Sequence, residues 1–120
     1  SKVENTADLI SLVKGSNKIT MIDLYADWCV ACKELDKYTF NNIEVVSLLN
    51  RINLVKFDIT KTNKDNSDFL KKYKLFGPPT LLFFTPDGKE IPDSRIIGYV
   101  DAKLFIKKFN YINKQLSSKL

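Results

Sequence analysis

The sequence predicts a single α/β domain with a central mixed β-sheet flanked by helices on both faces. Apolar runs at residues 19–25 and 80–84 are typical of buried strands, residues 52–59 alternate as in a further strand, and segments with helical spacing separate the three. The turn residues Pro86-Asp87-Gly88 indicate a hairpin from the third of these strands to a fourth at residues 95–99. The order β-α-β-α-β-β-α, after a leading helix, implies a mixed sheet covered on both faces.

The first half of the chain contributes a helix, a strand and a second helical region. Thr6 is expected to cap a short helix that ends near Gly15, because the apolar residues between them fall on one side. Residues 19–25 follow as a central buried strand. A helix is then expected to begin at the cysteines and to run to about Thr39, and a further helical piece covers residues 44–49.

The next segments continue the alternation of strand and helix. Residues 52–59 alternate in side-chain character, which favours a strand. Asn66 or Ser67 is expected to open a helix that extends through Tyr73. A Gly-Pro-Pro break at residues 77–79 separates this helix from the third strand.

The hairpin and a final helix complete the domain. All strands are expected within residues 18–99. Asp101 is expected to cap the last helix. Residues 116–120 are expected to fray. The apolar stripe of this helix consists of Leu104, Phe105, Phe109 and Ile112.

Length and composition indicate one domain over residues 1–120. A chain of 120 residues buries roughly two-thirds of its unfolded surface, which suffices for an independent core. No apolar run approaches the ~20 residues that span a bilayer, and no signal peptide is visible. The chain begins at Ser1 instead of a methionine, so we expect a mature chain or an excised fragment, and a soluble part of any membrane-bound parent.

The positive charge does not indicate a nucleic-acid-binding protein. The net charge is +5, but arginines stand only at Arg51 and Arg95, and arginine is the residue suited to bidentate phosphate or guanine contacts. The lysines are dispersed among acids and asparagines. A solvated lysine-rich surface explains this charge better.

The two cysteines of the chain, Cys29 and Cys32, are its most informative feature. They lie where the apolar strand meets a helix-favouring segment, which places Cys29 at the first turn and Cys32 one turn in. Unpaired backbone N–H groups and the positive end of the helix dipole favour a thiolate there. This arrangement suits reversible thiol–disulfide exchange.

Three other interpretations of the dithiol remain. A purely structural disulfide that closes so short a loop would stabilise the fold by at most ~2 kcal/mol in the chain-entropy model. A closed metal site would need further ligands, yet the chain has no histidine and no third cysteine. Two inert buried thiols stay possible. The sequence predicts neither a metal nor an organic cofactor, because the two sulfurs themselves carry the electrons.

Two carboxylates stand near the dithiol along the chain. Asp23 lies within the apolar strand that leads to Cys29, where a carboxylate is costly unless it is solvated or paired. An edge position that faces water is the alternative. Asp36 stands four residues after Cys32 and shares its helical face, so it is either a neighbour of the dithiol or an ordinary solvated acid.

These features resemble a known family. The Trp-Cys-x-x-Cys motif at a strand–helix junction and the Pro-Thr that opens the hairpin are similar to the thioredoxin fold. More narrowly, residues 24–34, 37–40, 77–84 and 98–99 resemble the C-terminal periplasmic domain of the DsbD family, bacterial transmembrane thiol:disulfide interchange proteins. The resemblance covers most of the chain.

Four residues of the site are expected to have roles. Cys29 lies at an exposed helix end, where an incoming disulfide can reach it, and is expected to be the nucleophile, while Cys32 is covered by its own helix and the sheet and is expected to be the resolving thiol. The resemblance assigns the other two. Asp23 matches a buried acid that accepts the proton of the inner cysteine. Asp36 stands where related sequences typically have glutamate, one methylene longer.

The same resemblance predicts the substrate-binding surface. Pro79 matches a cis-proline that presents a backbone edge to an extended substrate, while a rigid Pro78-Pro79 loop with ordinary geometry is the alternative. Trp28 and Phe76 would border the reactive sulfur as an apolar contact surface. Both aromatic residues are equally compatible with the core.

The resemblance also implies a place in an electron-transfer chain. The domain would take reducing equivalents from a membrane-embedded domain of the same protein and pass them to an N-terminal periplasmic acceptor domain. This relay would support disulfide correction and cytochrome c maturation on the periplasmic side of the inner membrane, with the isolated domain monomeric. A free-standing general thioredoxin and a redox-inactive binding module are the alternatives.

Overall fold

A computed structural model describes residues 1–118 as one five-stranded mixed sheet with helices on both faces. This architecture confirms the predicted fold class. The strands are β1 (Lys2–Val3), β2 (Thr20–Tyr25), β3 (Asn53–Asp58), β4 (Thr80–Phe84) and β5 (Ile96–Ile97). The helices are α1 (Thr6–Lys14), α2 (Val30–Glu34) with a π turn (Leu35–Thr39), α3 (Ile43–Leu49), α4 (Lys64–Lys72) and α5 (Ala102–Ser118).

Strand β2 lies at the centre of the sheet, whose order is β1-β3-β2-β4-β5. It pairs in parallel with β3 and antiparallel with β4. The strand is buried on both faces from Thr20 to Leu24, which explains its continuous apolar sequence. Because β2 leads directly into the cysteines, the most buried strand of the sheet positions them.

Hydrophobic clusters cover both faces of the sheet. Ile22 and Leu24 of β2 belong to the cluster that includes residues of α1 and α4. Met21 belongs to the other cluster, which includes residues of α3 and α5. The alternation of side chains along β2 thus joins the two halves of the core.

The sheet extends beyond the predicted range of residues 18–99. Strand β1 pairs in parallel with β3, with Lys2 opposite Lys56 and Val3 opposite Phe57. Two residues carry no periodic signal in the sequence. Only their position beside β3 makes them a strand.

Two helices begin at asparagine caps that differ from the predicted residues. The cap of α1 is Asn5, whose side chain accepts a hydrogen bond from the Asp8 N–H, while Thr6 is the first helical residue. The prediction of Thr6 as the cap is therefore wrong by one residue. Thr6 instead donates from its N–H and hydroxyl to the carboxylate of Asp65.

Helix α4 also starts earlier than predicted. Asn63 adopts an extended backbone and accepts a hydrogen bond from the N–H of Asn66, so the helix begins at Lys64. The prediction of Asn66 or Ser67 as the opening residue is wrong. Asn66 is buried inside the first turn, where it donates to the carbonyl of Lys61.

The helix after the cysteines ends where predicted but changes its winding. The Phe40 N–H donates to the Leu35 carbonyl over 2.8 Å, a hydrogen bond between residues five apart that defines the π turn. Leu35 and Thr39 are fully buried in this turn, and the Thr39 hydroxyl donates to the Val100 carbonyl over 2.5 Å. Regular α-helical spacing therefore does not hold between the cysteines and residues after Leu35.

The C-terminal elements follow the prediction with small changes. The turn at Gly88 leads to a single bridge between Phe84 and Glu90, and the predicted last strand shortens to β5. Asp101 caps α5 as predicted, accepting from the Leu104 N–H over 2.8 Å. Helix α5 continues through Ser118, and the last two positions of the segment expected to fray, 119–120, lie outside the described residues.

Within residues 1–118, no helix combines the length and the apolar character needed to cross a membrane.

Candidate active site

The turn between β2 and α2 places the two cysteines across the start of a helix. Cys29 is the N-cap residue of α2, and its N–H donates to the Ala26 carbonyl over 3.1 Å. The Cys32 N–H donates to the Cys29 sulfur over 3.1 Å, where an N-cap oxygen would ordinarily accept. The two sulfurs form a disulfide, with Cα atoms 5.3 Å apart.

Exposure does not distinguish the two cysteines in this disulfide form. Cys29 is 6% exposed and Cys32 is 5% exposed, so Cys32 is covered as expected, whereas the expectation of an exposed Cys29 is wrong for this state. Burial of both follows from their packing in the cluster beneath α1 and α4. What separates them is position, because Cys29 occupies the helix terminus and Cys32 lies inside the first turn.

Two exposed aromatic residues belong to the loops predicted to border the dithiol. The Trp28 indole N–H donates to the Thr60 carbonyl over 3.2 Å while most of the ring faces solvent. Phe76 is fully exposed. The alternative that these residues belong to the core is therefore wrong, and their role in binding stays a prediction.

Sequence reasoning missed three further exposed apolar residues near these loops. Val30 lies between the cysteines and faces solvent, so the motif itself could have indicated it. Ile97 and Tyr99 are also exposed. Ile97 pairs with Thr80, so only the β4–β5 pairing brings this segment beside the proline loop.

The Pro78–Pro79 peptide bond is cis, as predicted, and the alternative of a loop with ordinary geometry is wrong. Thr80 pairs with Leu24, so the two prolines lie past the end of β2, where the chain turns toward Cys29. The Pro79 carbonyl accepts from the Gly98 N–H over 2.9 Å, while Pro79 itself is buried. These contacts attach the loop to the sheet.

Asp23 lies at the centre of the sheet, opposite Lys56 of β3 and Leu81 of β4. It is 3% exposed, so the alternative of a solvated edge position is wrong. Burial raises the pKa of Asp23 to about 6, the Lys56 ammonium opposes this rise, and the Asp36 carboxylate adds to it. A carboxyl group with this pKa can exchange a proton near neutral pH.

Asp36 lies near Asp23, and both carboxylates interact with the same lysine, Lys56. The Asp36 side chain is 52% exposed, and its carboxylate lies 3.7 Å from the Lys56 ammonium. Asp23, Asp36 and Lys56 line one cavity of about 230 Å³. Polar groups around such a volume can hold water, which would connect Asp23 with solvent.

The prediction that Asp36 shares a helical face with the cysteines assumed regular α-helical spacing after Cys32. The π turn that begins at Leu35 breaks this spacing. The contact that the structure gives Asp36 is with Lys56 of β3. Its reach to the dithiol stays a prediction.

Lys56 is the site residue that the sequence analysis missed. Its ammonium contacts Asp36, opposes the charge on Asp23 and lies 5.5 Å from the centre of the Tyr25 ring. In the sequence it is one lysine among many on an alternating strand. Only the register of β2 against β3 brings it to the buried carboxylate.

Within residues 1–118, no group of three or more His, Cys, Asp or Glu side chains is arranged to hold a metal ion. The arrangement can instead store two electrons as the Cys29–Cys32 dithiol and release them as the disulfide closes.

Comparison with known proteins assigns the family. Residues 7–113 match the profile of a thioredoxin-like domain. The crystal structure of the oxidised C-terminal domain of DsbD from Neisseria meningitidis superposes with a TM-score of 0.81 at 30% identity, covering 92% of this chain and 98% of that one. The chain belongs to the DsbD C-terminal family of thioredoxin-like domains. This confirms the resemblance inferred from its motifs.

Curated relatives place this DsbD-family domain within longer proteins. The thiol:disulfide interchange protein DsbD of Pectobacterium atrosepticum is 46% identical over 111 residues, which are 90% of this chain and 19% of that protein. The DsbD of Tatumella citrea is 46% identical over 95 residues, 79% of this chain and 16% of that protein. The chain therefore spans less than a fifth of the length of these relatives. A thioredoxin from Thermus thermophilus, 17% identical with a TM-score of 0.73, shares the fold.

Proposed function

We propose that this domain is a protein-disulfide reductase that passes reducing equivalents from a membrane-embedded donor domain to a periplasmic partner domain. The observation that carries the proposal is the Cys29–Cys32 disulfide closed across the first turn of α2. Cys29 at the helix terminus is where backbone N–H groups favour a thiolate. A dithiol in this place can attack a partner disulfide and be regenerated by a donor dithiol.

The exchange proceeds in two balanced steps. The Cys29 thiolate of the reduced domain attacks one sulfur of the partner disulfide, whose S–S bond breaks as a mixed disulfide forms. The released partner thiolate takes up a proton. The Cys32 thiolate then attacks the Cys29 sulfur, which closes the intramolecular disulfide and frees the second partner thiol. Two electrons have passed to the partner, and a donor dithiol reverses the sequence to restore the domain.

Asp23 serves as the acceptor of the Cys32 proton in this mechanism. Its burial and its pKa of about 6 support the role, because such a carboxyl group is partly protonated near neutral pH and can both take up and release a proton. The cavity shared with Lys56 and Asp36 supplies the route to solvent. Asp36 modulates Asp23 by adding negative charge.

The partner docks on the apolar surface around the dithiol. Trp28 and Phe76 supply exposed aromatic area, and exposed aromatic side chains are frequent anchors of protein interfaces. The loop beside them can offer the partner the Pro78 carbonyl, because prolines have no N–H and the Pro79 carbonyl already accepts from the Gly98 N–H. This proposal rests on their exposure and on the position of the loop past the end of β2.

The donor and the acceptor are other domains of the parent protein. Support comes from the relatives, in which the matching segment is 19% or 16% of the whole protein. We place this C-terminal domain, residues 1–120, on the periplasmic side of the inner membrane, where the relay would support disulfide correction and cytochrome c maturation.

A trapping experiment tests the relay. The reduced Cys32→Ala variant is mixed with the oxidised N-terminal periplasmic domain of the Pectobacterium DsbD, and the products are separated by non-reducing electrophoresis and weighed by mass spectrometry. We expect a one-to-one mixed disulfide, because no resolving thiol remains. The matched Cys29→Ala variant should form none. Equal trapping by both variants would exchange the assigned roles, and trapping by neither would refute the relay.

A disulfide-reduction assay separates the alternatives. The relay predicts faster oxidation of the reduced domain by the periplasmic partner than by insulin. Equal rates would favour a general thioredoxin. Binding of the partner without any exchange would indicate a redox-inactive module.

A further inference from the structure

A second concave site lies between α1 and α4, apart from the dithiol. The cleft has a volume of about 300 Å³, and its lining includes neither cysteine. Its inner wall consists of apolar side chains that are also part of the core. These are Leu9, Val13, Ile22, Phe69 and Phe84.

Stacked aromatic rings form one side of this cleft. The centre of the Tyr73 ring lies 4.8 Å from that of Phe69 and 5.8 Å from that of Phe84. Burial raises the pKa of Tyr73, so its phenol stays neutral at physiological pH. An apolar ligand body would therefore meet a flat, uncharged surface.

The acids at the cleft are already engaged by other groups. Asp65 accepts hydrogen bonds from the Thr6 N–H at 2.9 Å and from the Thr6 hydroxyl at 2.5 Å. Asp68 forms an ion pair with Lys64 over 2.7 Å. The Lys64 ammonium thus offsets the charge of Asp68, while Asp65 keeps its charge and is held by the two neutral donors of Thr6.

The two lysines at the cleft have no such partner. Within residues 1–118, no carboxylate lies within ion-pair distance of Lys14 or Lys72. The Lys72 ammonium lies 5.5 Å from the centre of the Tyr73 ring, on the aromatic side. Both lysines stand in the last turn of their helices.

Both lysines lie toward the same end of the cleft because α1 and α4 start side by side. The contact between Thr6 and Asp65 joins the two helix starts, so Asp65 lies at that end and the lysines lie toward the other, with Asp68 in the middle of α4, one turn before Lys72. At the lysine end the Lys14 side chain crosses Gly88. A Cβ atom on Gly88 would lie 3.2 Å from the Lys14 Cε, so this glycine leaves room for the lysine.

We propose that the α1–α4 cleft binds a small carboxylate with an apolar body, because its volume of about 300 Å³ is at the lower end of the range for ligand pockets. The apolar part packs on the aromatic wall, and the carboxylate pairs with Lys14 and Lys72. Apolar pockets with a few convergent polar groups are typical ligand sites. The site is independent of the thiol chemistry.

Octanoate is a suitable probe, titrated below its micelle concentration and followed by amide chemical shifts of the whole domain. We expect saturable shifts confined to α1, α4 and the segment from Phe84 to Gly88. Octanamide and octylammonium have nearly the same size without the negative charge, and both should bind more weakly. Equal binding of either, shifts centred elsewhere, or no saturable shifts would overturn the proposal.

Charge variants assign the carboxylate contact. Lys14→Gln and Lys72→Gln should each weaken octanoate binding about two- to fivefold, the range for exposed ion pairs. Lys71→Gln is the matched control, because Lys71 lies in the same last turn of α4 but does not line the cleft. An equal loss in Lys71→Gln, or no loss in the double variant at Lys14 and Lys72, would overturn the assignment.

Discussion

Replacing the buried carboxyl group should stabilise the domain above neutral pH. Asp23 has its pKa raised from 3.8 to about 6, chiefly by burial, so ionisation is disfavoured in the folded state. The folded state then binds more protons than the unfolded state between these two values, and stability falls as pH rises through that window. A rise of about two pKa units corresponds to about 3 kcal/mol.

The Asp23→Asn variant removes this titration. Its neutral amide resembles the protonated acid, so any difference in packing is the same at every pH. The gain in unfolding free energy over the original domain should therefore grow by about 3 kcal/mol between about pH 3 and pH 8. Urea unfolding of the oxidised domain at a series of pH values measures this difference.

Asp58→Asn is the matched control on the neighbouring strand. Burial alone would raise the pKa of Asp58, but hydrogen bonds from Thr60 lower it below the value in the unfolded chain. At pH values above that unfolded value, the Asp58 carboxylate therefore stabilises the fold. The variant should lose stability as pH rises, the opposite sign to Asp23→Asn. A stability gain for Asp23→Asn that stays constant with pH would refute the reasoning about burial.

Three further predictions concern the reactive site. Asp23→Asn and Asp36→Asn should each increase the thiolate fraction of the reduced domain near pH 8, because each removes a negative charge from the carboxylates that are predicted to act on the dithiol. Ultraviolet thiolate absorbance measures this fraction, and an unchanged fraction in both variants contradicts the prediction. Lys56→Gln should raise the pKa of Asp23 further, since the ammonium opposes that rise, and a carboxyl NMR titration showing no rise would disprove the coupling. Phe76→Ala should lower kcat/KM toward the protein partner about tenfold while leaving reduction by dithiothreitol unchanged. The exposed Tyr111→Ala on α5 is its control, and equal losses in both variants would exclude a specific docking role.

Local patterns predicted most of the elements. The apolar run of β2, the turn at Gly88 and the cap at Asp101 depend on neighbours within a few residues, so the sequence was sufficient for them. The caps of α1 and α4 were misplaced because adjacent polar residues offer several candidates. Asn5 and Asn63 are the caps because their backbones are extended, and the spacing of apolar residues in the sequence does not indicate which residue adopts that conformation.

The position of the dithiol and the burial of Asp23 could also be predicted from the sequence. A lone pair of cysteines at a strand–helix junction places one sulfur at a helix terminus, and a carboxylate within an apolar strand is buried when that strand is central. Both inferences need only the order of elements along the chain. The same residues also carried the resemblance to the DsbD family.

Only the tertiary structure decided which groups act on that carboxyl group. Lys56 reaches Asp23 through the register of β2 against β3, and Asp36 reaches Lys56 from a π turn whose extra residue breaks helical spacing. The burial of Cys29, which equals that of Cys32, and the exposure of Phe76 likewise depend on how segments distant in the sequence pack together. The physical reason is common to all of them: sequence periodicity fixes which face of its own element a side chain occupies, whereas contacts between elements arise from how the sheet and helices pack.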